Sequence, residues 1–161
     1  MEIILKPLEE KHLEQATALW NQIIREGNSF PGDKELTLEE ARAMFEAQTA
    51  TVCALDGEDV VGLYILHPNN IGRCGHIANS SYAVDDRIRG NGIGRLLVND
   101  SVERARQHGF RGLQFNAVVA TNYRAITLYL KLGFKIIGTI KGGYRLKDGS
   151  FEDTIIFLKS W

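Results

Sequence analysis

Only two cysteines, Cys53 and Cys74, occur in the 161 residues, in different segments and outside any CxxC pattern. That excludes a disulfide framework and a cysteine zinc site. There are three prolines, no Pro/Ser-rich linker and no internal repeat, so nothing divides the chain into modules. No stretch approaches the ~18 consecutive apolar residues of a membrane-spanning helix. The start, Met1 to Lys6, lacks the basic residues and apolar run of a signal peptide, and a reducing cytoplasmic location is the expectation. Charge of one sign is missing too. Nineteen basic residues face twenty acidic ones, net −1, which argues against a polynucleotide held by bulk charge. What remains, 44% hydrophobic and 24% charged, suits one globular domain over residues 1–161 with a core of its own.

Hydrophobic spacing orders the elements. Ile3 to Lys6 reads as a strand, and Leu13, Ala16, Leu19, Trp20, Ile23 and Ile24 recur at helical spacing between Glu9 and Arg25. Gly27 supplies a stop, and Asn28 to Gly32 is a turn-rich loop. Thr37 precedes Glu40 by three, a capping box for a helix through Gln48. Strands follow at Thr51 to Leu55, Val60 to Leu66 and His76 to Val84. Next come a helix from Gly92 to His108, a strand from Leu113 to Val119 and a helix from Asn122 to Leu132. Phe134 to Ile140 and Thr154 to Leu158 are the last two strands. The order β-α-α-β-β-β-α-β-α-β-β predicts a mixed α/β sheet, parallel where a helix joins the fourth and fifth strands.

The segment Tyr82 to Arg95 carries the sharpest chemistry. A strand ends near Val84, a basic turn follows, and a helix begins at Gly92. Gly90, Gly92 and Gly94 remove Cβ atoms where a ligand approaches the backbone. The first N–H groups of a helix lack internal partners and carry positive dipole charge, which suits a pyrophosphate. Arg87, Arg89 and Arg95 add positive charge. A plain glycine-rich connection competes with this reading. A P-loop does not, because Gly94 is followed by Arg95-Leu96 rather than Lys and Ser or Thr. Nor does a nicotinamide fingerprint, because Gly92-Ile93-Gly94-Arg95-Leu96-Leu97 ends in leucine and the next strand closes without an acidic residue.

Arg89-x-x-Gly92-x-Gly94 resembles the (Gln/Arg)-x-x-Gly-x-(Gly/Ala) motif of the GNAT superfamily of acetyl-CoA-dependent N-acetyltransferases. The later run Asn122 to Phe134, an Asn, an aromatic-rich helix and Leu132-Gly133-Phe134, resembles that family's second motif in order and spacing. The match covers roughly residues 75 to 140 and reaches the flanks only in element order. It implies a single GNAT-type domain, mostly antiparallel, whose parallel fourth and fifth strands splay around acetyl-CoA as co-substrate, without a metal. By the resemblance, the backbone of Gly90, Asn91, Gly92, Ile93, Gly94 and Arg95, with Arg89, wraps the pyrophosphate. Tyr82, Ala83 and Val84 pair with the pantetheine arm as if it were an added strand. Asn122 bonds that arm or caps its helix, two compatible roles. Tyr129, two turns after Asn122 on the same face, is the expected general acid for the departing thiolate. A core tyrosine with one hydrogen bond is the competing role.

One family feature is missing. The fifth strand, Phe115-Asn116-Ala117-Val118-Val119-Ala120-Thr121, holds no carboxylate to act as general base. Asn79 on the fourth strand and Asn116 on the fifth are the notable residues, either binding the acceptor or satisfying backbone where the strands part. They also resemble, more weakly, the pair in acetyltransferases of proline-like and other amino acids. By the family's architecture Phe30 and Tyr144 border the acceptor site, unless they are ordinary loop packing. His76 and Cys74 are weaker candidates for chemistry, Cys53 belongs to the core, and His12, His67 and His108 receive no role. The expected partner is a small-molecule amine, with no nucleic acid and no membrane, and a homodimer is compatible with the family. Two other functions stay open: acetylation of protein N-termini or lysines, and a CoA-binding regulatory module without turnover.

Overall fold

Alternating side chains along the strands divide the core between two faces of one sheet. The computed structural model describes residues 2–161. Its strands are β1 (Ile3–Pro7), β2 (Ala50–Asp56), β3 (Asp59–Pro68), β4 (Ile77–Val84), β5 (Gly112–Val119), β6 (Lys135–Arg145) and β7 (Phe151–Ser160). The helices are α1 (Leu13–Glu26), α2 (Leu38–Glu46), α3 (Ile93–Gln107) and α4 (Tyr123–Lys131). The strands form a seven-stranded sheet in the order β1-β2-β3-β4-β5-β7-β6, and β4–β5 is the parallel pair.

On one face α1 buries Leu13, Ala16, Leu19, Trp20, Ile23 and Ile24 against Leu55, Leu63 and Ile65, with Phe45 of α2 beside them. Residues three and four apart lie on one side of a helix, so this single stripe faces the sheet. Gly27 ends α1 in the left-handed region, φ 66°, and its N–H donates to Ile23 O. The capping box is formed: Thr37 accepts from Glu40 N, and Glu40 accepts from Thr37 N. On the other face Ile93, Leu97, Val98 and Val102 of α3 pack on Tyr64, Leu66, Leu113 and Phe157. Gly62 permits that approach, because a Cβ there would lie 3.1 Å from Ile93 and 3.2 Å from Leu97.

The element order is as expected, and three of the boundary shifts stand out. Residues Glu10–His12 form a 3-10 turn before α1, and His12 is 1% exposed, its Nε2 3.3 Å from Glu58 Oε2. β4 starts at Ile77 and leaves His76 exposed in the preceding turn. The largest shift is in the last hairpin, where Gly142 to Arg145 belong to β6 rather than to a bordering loop. Their glycines read locally as a turn, but pairing of Tyr144 with Glu152 and Arg145 with Phe151 extends the strand past an irregularity. Tertiary pairing overrides local preference here. Among the described residues no helix is long and apolar enough to cross a membrane, and no group of three His, Cys, Asp or Glu is placed to hold a metal ion.

Candidate active site

The parallel pairing of β4 and β5 is short. Ile77, Ala78 and Asn79 register with Gly112, Leu113 and Gln114, and no further residues of the two strands pair. Beyond Asn79, β4 remains bonded to β3 on its other side through Val84. β5 continues on β7, with a register shift between Phe115 and Val118. The bulge at Asn116–Ala117 bends β5 away from β4. The result is a wedge whose β4 wall, Ser80 to Val84, offers backbone N–H and C=O groups to an extended ligand.

Aromatic rings line the helical side of the wedge. Phe115 lies 4.4 Å from Tyr129 and 5.7 Å from Tyr82, centroid to centroid, and Tyr129 also meets Phe157 at 5.4 Å. Of the five tyrosines, Tyr123 is 71% exposed. The hydroxyl of Tyr64 donates to Asp100, that of Tyr144 donates to Phe30 O, and that of Tyr82 bonds Ser101 at 2.7 Å. Tyr129 alone combines an enclosed ring with a hydroxyl that makes no hydrogen bond among the described residues. Burial, with the Tyr82 phenol beside it, raises the Tyr129 phenol well above its ordinary value. It therefore stays protonated throughout the neutral range and is available as a donor.

α4 buries no residue completely, although Ala125, Ile126, Leu128, Tyr129 and Leu132 are packed against the core. Its apolar face borders the wedge instead of sealing it. Asn122 is its N-cap, with Oδ1 accepting from Ala125 N at 3.3 Å, which leaves the amide nitrogen free. The first turn of α3 comes close, since a Cβ on Gly94 would sit 3.5 Å from Leu128.

The glycine turn lies between β4 and α3. Asp85 accepts from Arg87 N, closing a 3-10 turn over Asp86–Ile88. Gly90 (φ 91°) and Gly92 (φ 76°) are left-handed, and added Cβ atoms at either would meet nothing within 4 Å. Both glycines are therefore required by backbone conformation, and the space beside them is open. Gly92 O accepts the first helical bond, from Leu96 N, so the N–H groups of Ile93, Gly94 and Arg95 face outward without helical partners.

The positive charge of this turn is smaller than its three arginines suggest. Arg87 is committed to Asp85, with contacts of 3.1 and 2.7 Å, and holds that carboxyl below the usual range. Arg89 pairs with Asp86 and with Glu26 of α1 at 3.2 Å. Burial raises the Glu26 carboxyl even with Arg89 beside it, acting the other way. Arg95 is exposed and makes no ion pair among the described residues. Asp86 also accepts from Gln22 Nε2, so α1 is tied to the turn twice.

Asn79 and Asn116 come together on the α1 side of the wedge, joined by two residues that spacing did not single out, Asn69 and Gln114. Asn79 Nδ2 donates to Gln114 O at 2.9 Å and to Asn69 Oδ1 at 3.3 Å. Asn116 Nδ2 donates to Asn69 Oδ1 at 2.7 Å, and its own Oδ1 accepts from Gln114 Nε2 at 2.9 Å. Thus Asn79 does satisfy a backbone carbonyl where the strands part, whereas Asn116 bonds only side chains. Phe30 and Tyr144 are both 9% exposed. The Phe30 ring lies 4.4 Å from Trp20, and its carbonyl receives the Tyr144 hydroxyl at 2.7 Å. Cys53 is enclosed, with burial pushing its thiol up to about 12, and Cys74 is exposed. Two surface cavities, of about 440 and 380 Å³, lie at the Pro7–Arg42–Arg104 corner and beside Asp56, Asp59 and Asp85; neither is lined by Tyr129 or the amide cluster.

Comparisons with known proteins place this fold in a family. Residues 14–134 match the acetyltransferase (GNAT) family. The chain is 32% identical over 155 residues to N-acetyltransferase aca1 of Schizosaccharomyces pombe, covering 86% of this chain and 74% of that one. It is 32% identical over 103 residues to the L-amino acid N-acetyltransferase AaaT of Escherichia coli, covering 63% and 62%. The solved structure of a GCN5-related N-acetyltransferase from Kribbella flavida has a TM-score of 0.91 and 30% identity, over 99% of this chain and 98% of that one. Family, relatives and fold agree, and this chain belongs to the GNAT family of acetyl-CoA-dependent N-acetyltransferases.

Proposed function

We propose that this N-acetyltransferase acts on the amine of a small acceptor that also carries a carboxylate, an amino acid or a close analogue. The observation that carries the proposal is the amide cluster where β4 and β5 part, which offers hydrogen-bond donors and acceptors and no charge. A neutral polar site of this size suits a zwitterion, whose two charges are neighbours and need opposite ends of amide dipoles. The similarity to an L-amino acid N-acetyltransferase points the same way.

In this reading Tyr82, Ala83 and Val84 bond the pantetheine arm through their backbone. The turn from Arg89 and Gly90 through Asn91, Gly92, Ile93 and Gly94 to Arg95 receives the pyrophosphate on unpaired N–H groups. The free amide nitrogen of Asn122 donates to the arm while its oxygen caps α4. Acetyl-CoA supplies the activated acyl carbon, and the acceptor amine attacks it directly: a C–N bond forms and the C–S bond breaks. Tyr129 donates its hydroxyl hydrogen to the departing sulfur. The chain places no carboxylate on β5, so the ammonium proton of the acceptor passes to water before the attack, and the proton shed by the newly acylated nitrogen returns through water to the Tyr129 oxygen. Phe30 and Tyr144, joined through one hydrogen bond, form the outer wall.

The test is a thiol-release screen with acetyl-CoA against free amino acids, their decarboxylated amines and short peptides. Free amino acids are expected to exceed the matching amines by ~10-fold or more in kcat/KM, the loss when a polar site is left unpaired. Peptides that outperform every amino acid overturn the small-acceptor reading and favour acetylation of proteins.

A further inference from the structure

We infer that Asn69, at the start of the β3–β4 connection, is the positioning residue of the acceptor site and acts through Asn79 and Asn116. This rests on the acceptor reading above. The Gln114 backbone carbonyl sets the polarity of the cluster, because it can only accept. Asn79 meets it at 2.9 Å and must present its nitrogen. The second N–H of that nitrogen is directed to Asn69, which must answer with its oxygen. With that oxygen turned inward, Asn116 also presents its nitrogen, at 2.7 Å. The Asn116 oxygen is then left for Gln114 Nε2. One backbone carbonyl thus orients four amides.

The consequence is a site with fixed polarity. Asn79 has spent both N–H groups, so its free atom is an acceptor, suited to an amine N–H. Asn116 keeps one N–H, a donor suited to a carboxylate. The link between Asn79 on β4 and Asn116 on β5 is the Asn69 oxygen, which spans the wedge where the parallel pairing ends. Asn116 is exposed, so without Asn69 its side chain is held only by the Gln114 side chain. The Asn69 side chain is not needed to hold its own loop, because the Asn69 backbone N–H donates to Ile77 O at 2.8 Å.

Two substitutions separate positioning from bulk structure. Asn69→Ala removes the shared oxygen; Asn69→Asp keeps an oxygen that accepts from both amides. Each is assayed with acetyl-CoA and the free L-amino acid that gives the highest kcat/KM in a panel of the free L-amino acids. Asn69→Ala is expected to raise the acceptor KM ~10-fold, with kcat and the KM for acetyl-CoA within ~2-fold of wild type. Asn69→Asp is expected to retain an acceptor KM within ~3-fold of wild type, and Asn69→Ala to add little on an Asn116→Ala background, as for residues that act as one unit. The inference is overturned if Asn69→Ala leaves the acceptor KM unchanged, or if Asn69→Asp is as impaired as Asn69→Ala. Asn79→Ala and Asn116→Ala distinguish the two levels. If these raise the acceptor KM while Asn69→Ala does not, the positioning role fails and the acceptor site stands; if none of the three does, both fail.

Discussion

The Tyr144 hydroxyl donates to the Phe30 carbonyl at 2.7 Å, joining the α1–α2 loop to β6 across 114 residues of chain. Lys147 Nζ makes a second bond to the same region, donating to Arg25 O at 2.9 Å. Both ends of the Tyr144 bond are buried, so deleting the hydroxyl leaves the Phe30 carbonyl without that donor. Tyr144→Phe is expected to destabilise the protein by ~1–2 kcal/mol. It should also raise the acceptor KM while leaving that for acetyl-CoA alone, since in the proposed function this wall borders the acceptor. Denaturant melts and steady-state kinetics check both, and an unchanged melt would remove the bond from the stability of this wall.

Gly92 sits at φ 76° with open space beside it. Gly92→Val therefore strains the turn and fills the open space in which the proposed function seats a phosphate. Strain lowers the stability of the ligand-free protein, so the informative quantity is the shift that acetyl-CoA induces. For the wild type this is ~2.7 kcal/mol at one hundred times Kd, and the variant is expected to lose it. A variant that shifts as the wild type does would place acetyl-CoA elsewhere.

Arg95 is the arginine of the turn without an ion pair, whereas Arg87 is bonded to Asp85. Arg95→Ala is expected to weaken acetyl-CoA binding several-fold and to reduce its salt dependence, as for an exposed charge–phosphate contact worth ~1 kcal/mol. Arg87→Ala should have the smaller effect on affinity. Calorimetric titration at two salt concentrations decides the order, and equal losses would mean the Asp85 pair does not withhold Arg87.

Tyr129→Phe is expected to lower kcat ~100-fold with little change in acetyl-CoA affinity, the scale of a general-acid contribution. Burial raises this phenol, so the acid remains protonated past its ordinary value of ~10. kcat should then show no loss below about pH 10 that Tyr129→Phe removes. Tyr64 and Tyr82 are raised by burial too. With folded values above unfolded ones, the stability these three contribute is complete below the unfolded phenol value and falls as pH rises above it. Alkaline melts of wild type and Tyr82→Phe follow that loss, and an unchanged kcat in Tyr129→Phe would take Tyr129 out of the chemistry.

Several parts of this protein were legible in sequence because each is a message contained in a few neighbouring residues. The glycines at 90, 92 and 94 mark a turn entering a helix, Thr37 and Glu40 mark a capping box, and Asn122 marks the cap of α4. The apolar stripe of α1 is likewise a matter of spacing, since helical periodicity puts those side chains on one side whatever they meet. The extent of β6 was not legible, because two adjacent glycines suggest a turn and only pairing with β7 makes them strand.

The tertiary structure alone decided which polar groups answer one another. Asn69 and Asn116 are 47 positions apart, and Arg89 and Glu26 are 63. Hydrogen bonds and ion pairs act over about 3 Å, so their partners depend on strand register and on which face each side chain occupies. The short pairing of β4 with β5 and the bulge at Asn116–Ala117 open the wedge, and they follow from how β5 sits on β7. The sequence by itself determined a glycine turn that enters a helix, because φ > 0 positions and helix starts are local features. The packing of one sheet decided that four amides from three separate segments meet where β4 and β5 part.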